Sequence, residues 1–169
     1  MIVRAAHHDD IQTMVRIIAH HASRGLMLPR SASALAASLD TYVVADAGGE
    51  IVGCGGLHPY TSDLAELCAL ATAPENSPDG TGRALVDALI ERARTESITK
   101  VFALTLAPGF FSKMGFKTVE HRELPFKVWT DCVACPKYGN CDEVAMVLEL
   151  DQLAASQVGI HFCGAILPS

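Results

Sequence analysis

The sequence has little charge and few aromatic side chains, and it carries no excess of positive charge. Charged residues make up 19% of its 169 residues and aromatic residues 6%, and 13 lysines and arginines stand against 19 aspartates and glutamates. The net charge of −6 supplies none of the positive field that binds a phosphate backbone. A nucleic-acid partner is therefore not expected.

Long uncharged apolar runs are missing as well. The N-terminus contains Arg4, Asp9 and Asp10 and lacks the apolar stretch of a signal peptide, and no later segment is long and uncharged enough to span a bilayer. We therefore expect a cytoplasmic protein with no membrane partner. The six cysteines are too few for a disulfide scaffold, so reduced thiols or metal ligands are expected.

The apolar content is nevertheless high enough for a substantial core. Hydrophobic residues make up 50% of the chain, and a chain of this length usually forms one domain. We assign residues 1–150 to that domain. The apolar tail, residues 151–169, can dock on the domain or on a neighbouring subunit of a homodimer, and the sequence gives it no role.

Hydrophobic spacing predicts an α+β fold. Apolar runs indicate strands at 2–5, 42–44, 51–57, 64–73, 101–106 and 144–150, and helical spacing indicates helices at 31–38, 85–93 and 110–114. A further helix is expected to begin behind Asp9 as its N-cap and to end near Gly25. Strand, loop, helix and strand between 64 and 106 form a βαβ unit, which joins two parallel strands of a mixed sheet.

The loop before the helix at 85–93 is the first candidate site. Residues 79–83 read Asp-Gly-Thr-Gly-Arg and follow a predicted strand, where a helix N-terminus offers unpaired N–H groups to a phosphate. Two glycines let the backbone approach a ligand closely, and Arg83 adds a cation. A tight turn without a ligand has the same pattern, so this loop alone leaves both interpretations open.

Neighbouring segments read together resemble the GNAT superfamily of acyl-CoA-dependent N-acetyltransferases. The segments are ELCALATAPE at 66–75, GTGRAL at 80–85 and FFSKMGF at 110–116, with GCGGLHP at 53–59 and VFALT at 101–105. The region between 123 and 146 resembles the short, stand-alone amino-acid N-acetyltransferases of bacterial arginine biosynthesis, the N-acetylglutamate synthase type. The resemblance lies in the motifs ELP, KVW, DC, CPK, CDE and AM. The resemblance covers nearly the whole chain to Leu150 but not the tail.

The resemblance implies the GNAT fold, a mixed, mostly antiparallel sheet that is splayed at the acyl-CoA site and flanked by helices. Acetyl-CoA is then the co-substrate, with its pantetheine arm on one strand and its diphosphate on the following loop. A backbone N–H near Leu70 would polarise the thioester carbonyl. The cofactor-binding residues implied in this way are Leu70, Ala71, Thr72, Asp79, Gly80, Thr81, Gly82, Arg83 and Phe111.

Two residues are candidates for the general base that frees the attacking amine. Glu66 matches a strand position at which several superfamily members carry a catalytic glutamate, and partial desolvation would raise its pKa. A strand-edge glutamate facing solvent is the alternative. His58 is the second candidate, because histidine is the side chain type best suited to proton transfer near neutral pH, although a histidine beside a proline is equally typical of a turn. Phe111 stands where the superfamily usually has a tyrosine and has no proton to give, so either the thiolate leaves unprotonated or another donor, such as Tyr60 or Tyr138, supplies the proton.

The phosphate loop departs from the family pattern. The superfamily has Arg or Gln before its glycines, whereas this chain has Ser77, Pro78 and Asp79. Pro78 lacks an N–H donor, and Asp79 brings a carboxylate toward the anionic oxygens of the ligand. A degenerate, non-catalytic acyl-CoA-binding or regulatory domain is therefore the alternative to an enzyme.

On the acceptor side, the expected substrate is a small amine, with an amino acid such as glutamate as the first choice. Arg30, Lys127 and Trp129 are the candidate substrate-binding residues, since arginine binds carboxylates well, and Lys137 belongs to the same loop as the last two. A polyamine, a drug or a peptide terminus is the alternative acceptor.

Three cysteines crowd the same loop as C-x₂-C-x₅-C: Cys132, Cys135 and Cys141. Zinc would need a fourth ligand such as His121 or Asp142. Reduced thiols that brace the acceptor loop are the favoured interpretation, so no metal is predicted.

Overall fold

The computed structural model describes residues 1–124, 132–137 and 139–150. Their strands are β1 (Ile2–Ala5), β2 (Tyr42–Asp46), β3 (Ile51–Pro59), β4 (Leu64–Thr72), β5 (Lys100–Thr105), β6 (Lys117–Thr118) and β7 (Val144–Glu149). Their helices are α1 (Ile11–Ala22), α2 (Ala32–Ala37), α3 (Thr81–Thr95) and α4 (Pro108–Lys113), with short 3₁₀ turns at His8–Asp10, Leu39–Thr41 and His121–Glu123.

The seven strands of the described residues form one mixed sheet in the order β1-β2-β3-β4-β5-β7-β6. Every neighbouring pair is antiparallel except β4 and β5, which α3 joins as the predicted βαβ unit. Gly48 and Gly49, with φ of 79° and 98°, make the turn between β2 and β3. The α+β class and the mixed sheet are confirmed.

Apolar residues alternate along the strands and divide the core between the two faces of the sheet. On one face, Val43 and Ala45 pack in the cluster that contains Leu85 and Leu89 of α3. On the other face, Tyr42 and Val44 pack with residues of α1 and α2. The helices therefore cover both faces, with α3 opposite α1 and α2.

Three details differ from the sequence prediction. The predicted cap at Asp9 is wrong, because a 3₁₀ turn precedes α1 and the backbone N–H of His7 donates to the Asp10 carboxylate at 2.7 Å. Strand β6 was not predicted, since two exposed residues show no hydrophobic alternation. The predicted helix at 31–38 is two residues shorter, and Ser31 caps it by accepting from the Ala34 N–H at 3.1 Å.

No helix among the described residues has the length and apolar content that crossing a bilayer requires.

Candidate active site

Strands β4 and β5 separate after a short paired stretch. They pair only at Leu64 with Lys100, Ala65 with Val101 and Glu66 with Phe102. Strand β5 pairs with β7 up to Thr105. The later half of β4 therefore has an open edge on the β5 side, which agrees with the splayed sheet that the family resemblance implies.

A β-bulge lies in the open half of β4. Cys54 pairs with Ala71 and Gly56 with Cys68, so Ala69 and Leu70 together face the single residue Gly55. Ala69 has a φ of 49°, a left-handed conformation that costs a non-glycine residue about 1–2 kcal/mol. Such strain is retained where it aims the backbone for a function.

Helix α3 begins beside this strand. Its N-cap, Gly80, has a φ of 85°, and the N–H and hydroxyl of Thr81 both donate to the Pro78 carbonyl, at 3.2 and 2.7 Å. Within the described chain, the backbone N–H groups of Gly82 and Arg83 have no backbone acceptor. Two donors at the positive end of a 15-residue helix are therefore available to an anion.

Gly53 brings α3 and β4 together. A Cβ atom on Gly53 would lie 3.1 Å from both the Ala71 carbonyl oxygen and the Thr81 Cγ2, and 3.0 Å from the Leu85 Cδ1. The absence of a side chain on β3 thus lets the first turn of α3 approach the open strand. The predicted cofactor residues at 70–72 and 80–83 consequently lie together at the carboxyl end of β4.

Glu66, His58 and Tyr60 also come together. Glu66 pairs with His58 across β3 and β4, and the Tyr60 hydroxyl donates to the Glu66 Oε2 at 3.3 Å. The His58 and Tyr60 rings contact edge to face, with their centroids 5.0 Å apart. Glu66 is half-buried, which speaks against a freely solvated strand-edge residue, whereas His58 is exposed.

Arg30 precedes Ser31, the N-cap of α2, and α2 packs on the same face of the sheet as Tyr42. Burial raises the pKa of the Cys68 thiol to about 12, the charge of Glu66 adds to the rise, and the charge of Arg30 opposes it. Arg30 opposes the burial-driven rise in the Tyr42 pKa in the same way. A cation and a carboxylate therefore both act on Cys68, which follows Glu66 by two residues on β4.

A cavity of about 300 Å³ adjoins this face, because Leu104 and Cys132 of its lining pack against the cluster that contains Tyr60. Burial, followed by the charges of Cys141 and then Glu66, raises the pKa of Cys132. Lys137 donates through Nζ to the Asp142 Oδ1 at 3.2 Å and to the Gly25 carbonyl at 3.4 Å. The cavity is lined by Leu104, His121, Cys132, Cys135, Lys137, Gly139, Cys141 and Glu143.

The three cysteines of this loop are free thiols. Across residues 1–124, 132–137 and 139–150, no group of three or more histidines, cysteines, aspartates and glutamates is arranged to hold a metal ion. His121 instead contacts the Glu143 carbonyl through Nε2 at 3.0 Å. The zinc alternative gains no support from these residues.

Several predicted site residues do not lie in the arrangement described above. Phe111 is buried against Phe116 in the core, whereas the ring of Phe110 would lie 3.5 Å from a Cβ on Gly82. Asp79 and Arg83 are exposed. Lys127, Trp129, Tyr138 and the tail at 151–169 lie outside the described residues, and the roles assigned to all these residues stay predictions.

His21 belongs to none of the motifs that predict the site. Its Nε2 lies 2.8 Å from the carbonyl oxygen of Thr72, at the end of the open strand. A carbonyl only accepts, so the imidazole donates. No spacing pattern marks a contact between residues this far apart in the chain.

Comparison with known proteins agrees with this geometry. The sequence profile of the acetyltransferase (GNAT) family matches residues 14–116. An uncharacterized N-acetyltransferase of Chlorobaculum tepidum is 40% identical over 148 residues, 88% of this chain and 96% of that protein. An amino-acid acetyltransferase of Mycobacterium tuberculosis is 31% identical over 133 residues, 77% of this chain and 76% of that protein.

Solved structures show the same architecture. A Mycobacterium tuberculosis protein in complex with CoA superposes with a TM-score of 0.77 at 26% identity, over 89% of this chain and 100% of that one. The N-acetylglutamate synthase of Neisseria gonorrhoeae, complexed with CoA and N-acetyl-glutamate, gives a TM-score of 0.81 at 26% identity, over 88% of this chain but 35% of that one. The fold predicted from the motifs is confirmed.

Proposed function

Since this chain belongs to the acetyltransferase (GNAT) family, we propose that it transfers an acetyl group from acetyl-CoA to the amine of an amino acid, with glutamate as the first acceptor to test. The observation that carries the proposal is the open edge of β4 beside the unpaired N–H groups of α3. Relatives named amino-acid acetyltransferases and a structural neighbour complexed with N-acetyl-glutamate support this class of acceptor. With glutamate as the acceptor, the proposed metabolic role is in arginine biosynthesis.

The donor side of the site follows from the backbone. The N–H groups of Gly82 and Arg83 are suited to bind the diphosphate, and the open edge of β4 from Leu70 to Thr72 is suited to bind an extended pantetheine arm. In this proposal the bulge at Ala69 aims a backbone N–H at the thioester carbonyl, where it would stabilise the negative charge of the tetrahedral intermediate.

The acceptor side is the face that carries Glu66. An amino acid reaches the enzyme mainly as an ammonium ion, and in this proposal Glu66 takes a proton from it so that the free amine attacks the thioester carbon. Arg30 is the cation proposed to hold the substrate carboxylate, because Lys137 is already paired with Asp142, and Lys127 and Trp129 are proposed from the sequence to complete the pocket. A cavity of about 300 Å³ is within the range of small-ligand sites.

The leaving thiolate of CoA needs a proton. Phe111 is buried in the core and has none to give. Tyr60 is the hydroxyl in contact with Glu66, and we propose that this pair holds the proton removed from the amine until the thiolate accepts it. His58, which is exposed beside Tyr60, is the second candidate base.

The alternative, an acyl-CoA-binding domain without activity, remains motivated by Pro78, Asp79 and Phe111. Two of these departures from the family pattern, Pro78 and Asp79, are compatible with acyl-CoA binding. The Pro78 carbonyl caps Thr81, and the Asp79 side chain is exposed to solvent, which screens its charge. The lack of a tyrosine at Phe111 is the feature that turnover measurements must address.

The test is a thiol-release assay with acetyl-CoA and a panel of the common amino acids, run alongside calorimetric titration with CoA. We expect turnover with an acidic amino acid, and we expect Glu66→Gln to lower kcat by about 10²-fold while CoA binding is retained. Glutamine keeps the size of the side chain and accepts from Tyr60, so loss of folding is not the expected cause. Tight CoA binding without turnover on any amine would establish the non-catalytic alternative instead.

A further inference from the structure

The last residue of β4, Thr72, directs its own N–H and C=O away from β3. The N–H of the next residue, Ala73, donates to the Val52 carbonyl on β3 at 2.8 Å. Successive residues in an extended strand point their N–H and C=O groups to opposite sides. The N–H and C=O of Thr72 therefore point to the open side, where β5 has already separated from β4.

Among the residues that the structure describes, one side chain from another element reaches this carbonyl. His21 lies in the last turn of α1, is half-buried, and donates from Nε2 to the Thr72 oxygen at 2.8 Å. This bond is not needed to attach α1 to the sheet, because Met14, Ile17 and Ile18 of α1 are already buried in the core between them. The bond instead fixes one peptide group at the open edge.

We propose that His21 is a positioning residue for acetyl-CoA. The proposal rests on the function proposed above. A carbonyl oxygen has two lone pairs, and His21 uses one of them to hold the plane of the Thr72 peptide group. The second lone pair of the Thr72 oxygen is then fixed in direction, so an amide N–H of the pantetheine arm meets a preorganised acceptor rather than a mobile strand end.

The neighbouring histidine provides a matched control. His20 lies in the same turn of α1, its ring packs edge to face on His21 with centroids 5.3 Å apart, and its Nε2 is buried with no hydrogen-bond partner in the described structure. Substitution of His20 removes a similar volume and the same ring contact. It leaves the bond to Thr72 in place.

The experiment measures CoA affinity by calorimetry for the full chain and for His21→Ala, His21→Gln and His20→Ala. Loss of one preorganising hydrogen bond is expected to weaken CoA binding by about three- to ten-fold in His21→Ala. A glutamine amide N–H can reach the position of Nε2, so His21→Gln should recover most of the affinity, and His20→Ala should bind CoA like the unaltered protein. With an active acceptor, KM should rise for acetyl-CoA but not for the acceptor.

Three results would overturn the inference. Equal CoA affinity in His21→Ala and the unaltered protein would remove it while the proposed function stands. A lower melting temperature in His21→Ala, with no change in CoA affinity, would show that the bond only stabilises the fold. If the unaltered protein binds no CoA, the proposed function and this inference fail together.

Discussion

The two glycines on either side of Thr81 have different roles. Gly80 has a φ of 85°, so a side chain there is strained by about 1–2 kcal/mol whatever space surrounds it. Gly82 lies in the first turn of α3, where an added Cβ would meet the Phe110 ring at an ordinary contact distance of 3.5 Å. Glycine at position 82 is therefore not required by the fold, which suggests that it serves the ligand.

This difference gives a residue-scale prediction. Gly82→Ala should leave the melting temperature unchanged or slightly higher, because alanine favours a helix by up to about 1 kcal/mol over glycine. It should weaken CoA binding about ten-fold if phosphate oxygens contact the neighbouring amides. Thermal unfolding and calorimetric titration of the same sample measure both effects. Unchanged CoA affinity in a stable Gly82→Ala variant would place the diphosphate elsewhere.

At the scale of elements, β3 determines how closely α3 approaches the open strand. The space that a Cβ on Gly53 would enter is already filled by the backbone of Ala71 and the side chains of Thr81 and Leu85. Both side chains lie in the core and have little room to move. Overpacking at such a site typically costs about 1–3 kcal/mol. The displaced element is the first turn of α3, which carries the candidate phosphate site.

We therefore expect Gly53→Ala to lower both the melting temperature and the affinity for CoA. Gly109→Ala is the matched control, because a Cβ at that exposed position of α4 meets nothing within 4 Å. It should change neither quantity. If Gly53→Ala lost stability yet bound CoA normally, the spacing between β3 and α3 would not determine the cofactor site.

The sequence predicted most elements because their signals are local. Alternating apolar residues, the glycines at 48–49 and the βαβ order each indicate one element without reference to distant residues. The cap at Asp9 was wrong because the 3₁₀ turn moves the start of α1 to Ile11. The bond from His21 to Thr72 joins two elements 51 residues apart, and only the packing of α1 on the sheet brings them together.

For the whole molecule, Arg4 joins three parts of the N-terminal half. Its guanidinium binds Asp10 before α1 at 2.8 Å and Asp46 at the end of β2 at 3.1 Å. Asp10 is buried, and its carboxylate also accepts from the backbone N–H of His7. The hydrogen bond from Arg4, followed by that from His7, holds the pKa of Asp10 below its usual value of 3.8.

A carboxyl group whose pKa is lower in the folded state stabilises the protein above its unfolded-state pKa and loses that contribution as the pH falls through the lower, folded-state value. Asp10→Asn should therefore reduce the free energy of unfolding at pH 7 by about 1–3 kcal/mol. The difference from the unaltered protein should shrink as the pH falls below about 4. Urea unfolding at pH 7, 5, 4 and 3 measures this dependence, with the exposed neighbour Asp9→Asn as the control that should not differ. A constant difference between pH 7 and pH 3 would mean that Asp10 acts through packing rather than through its charge.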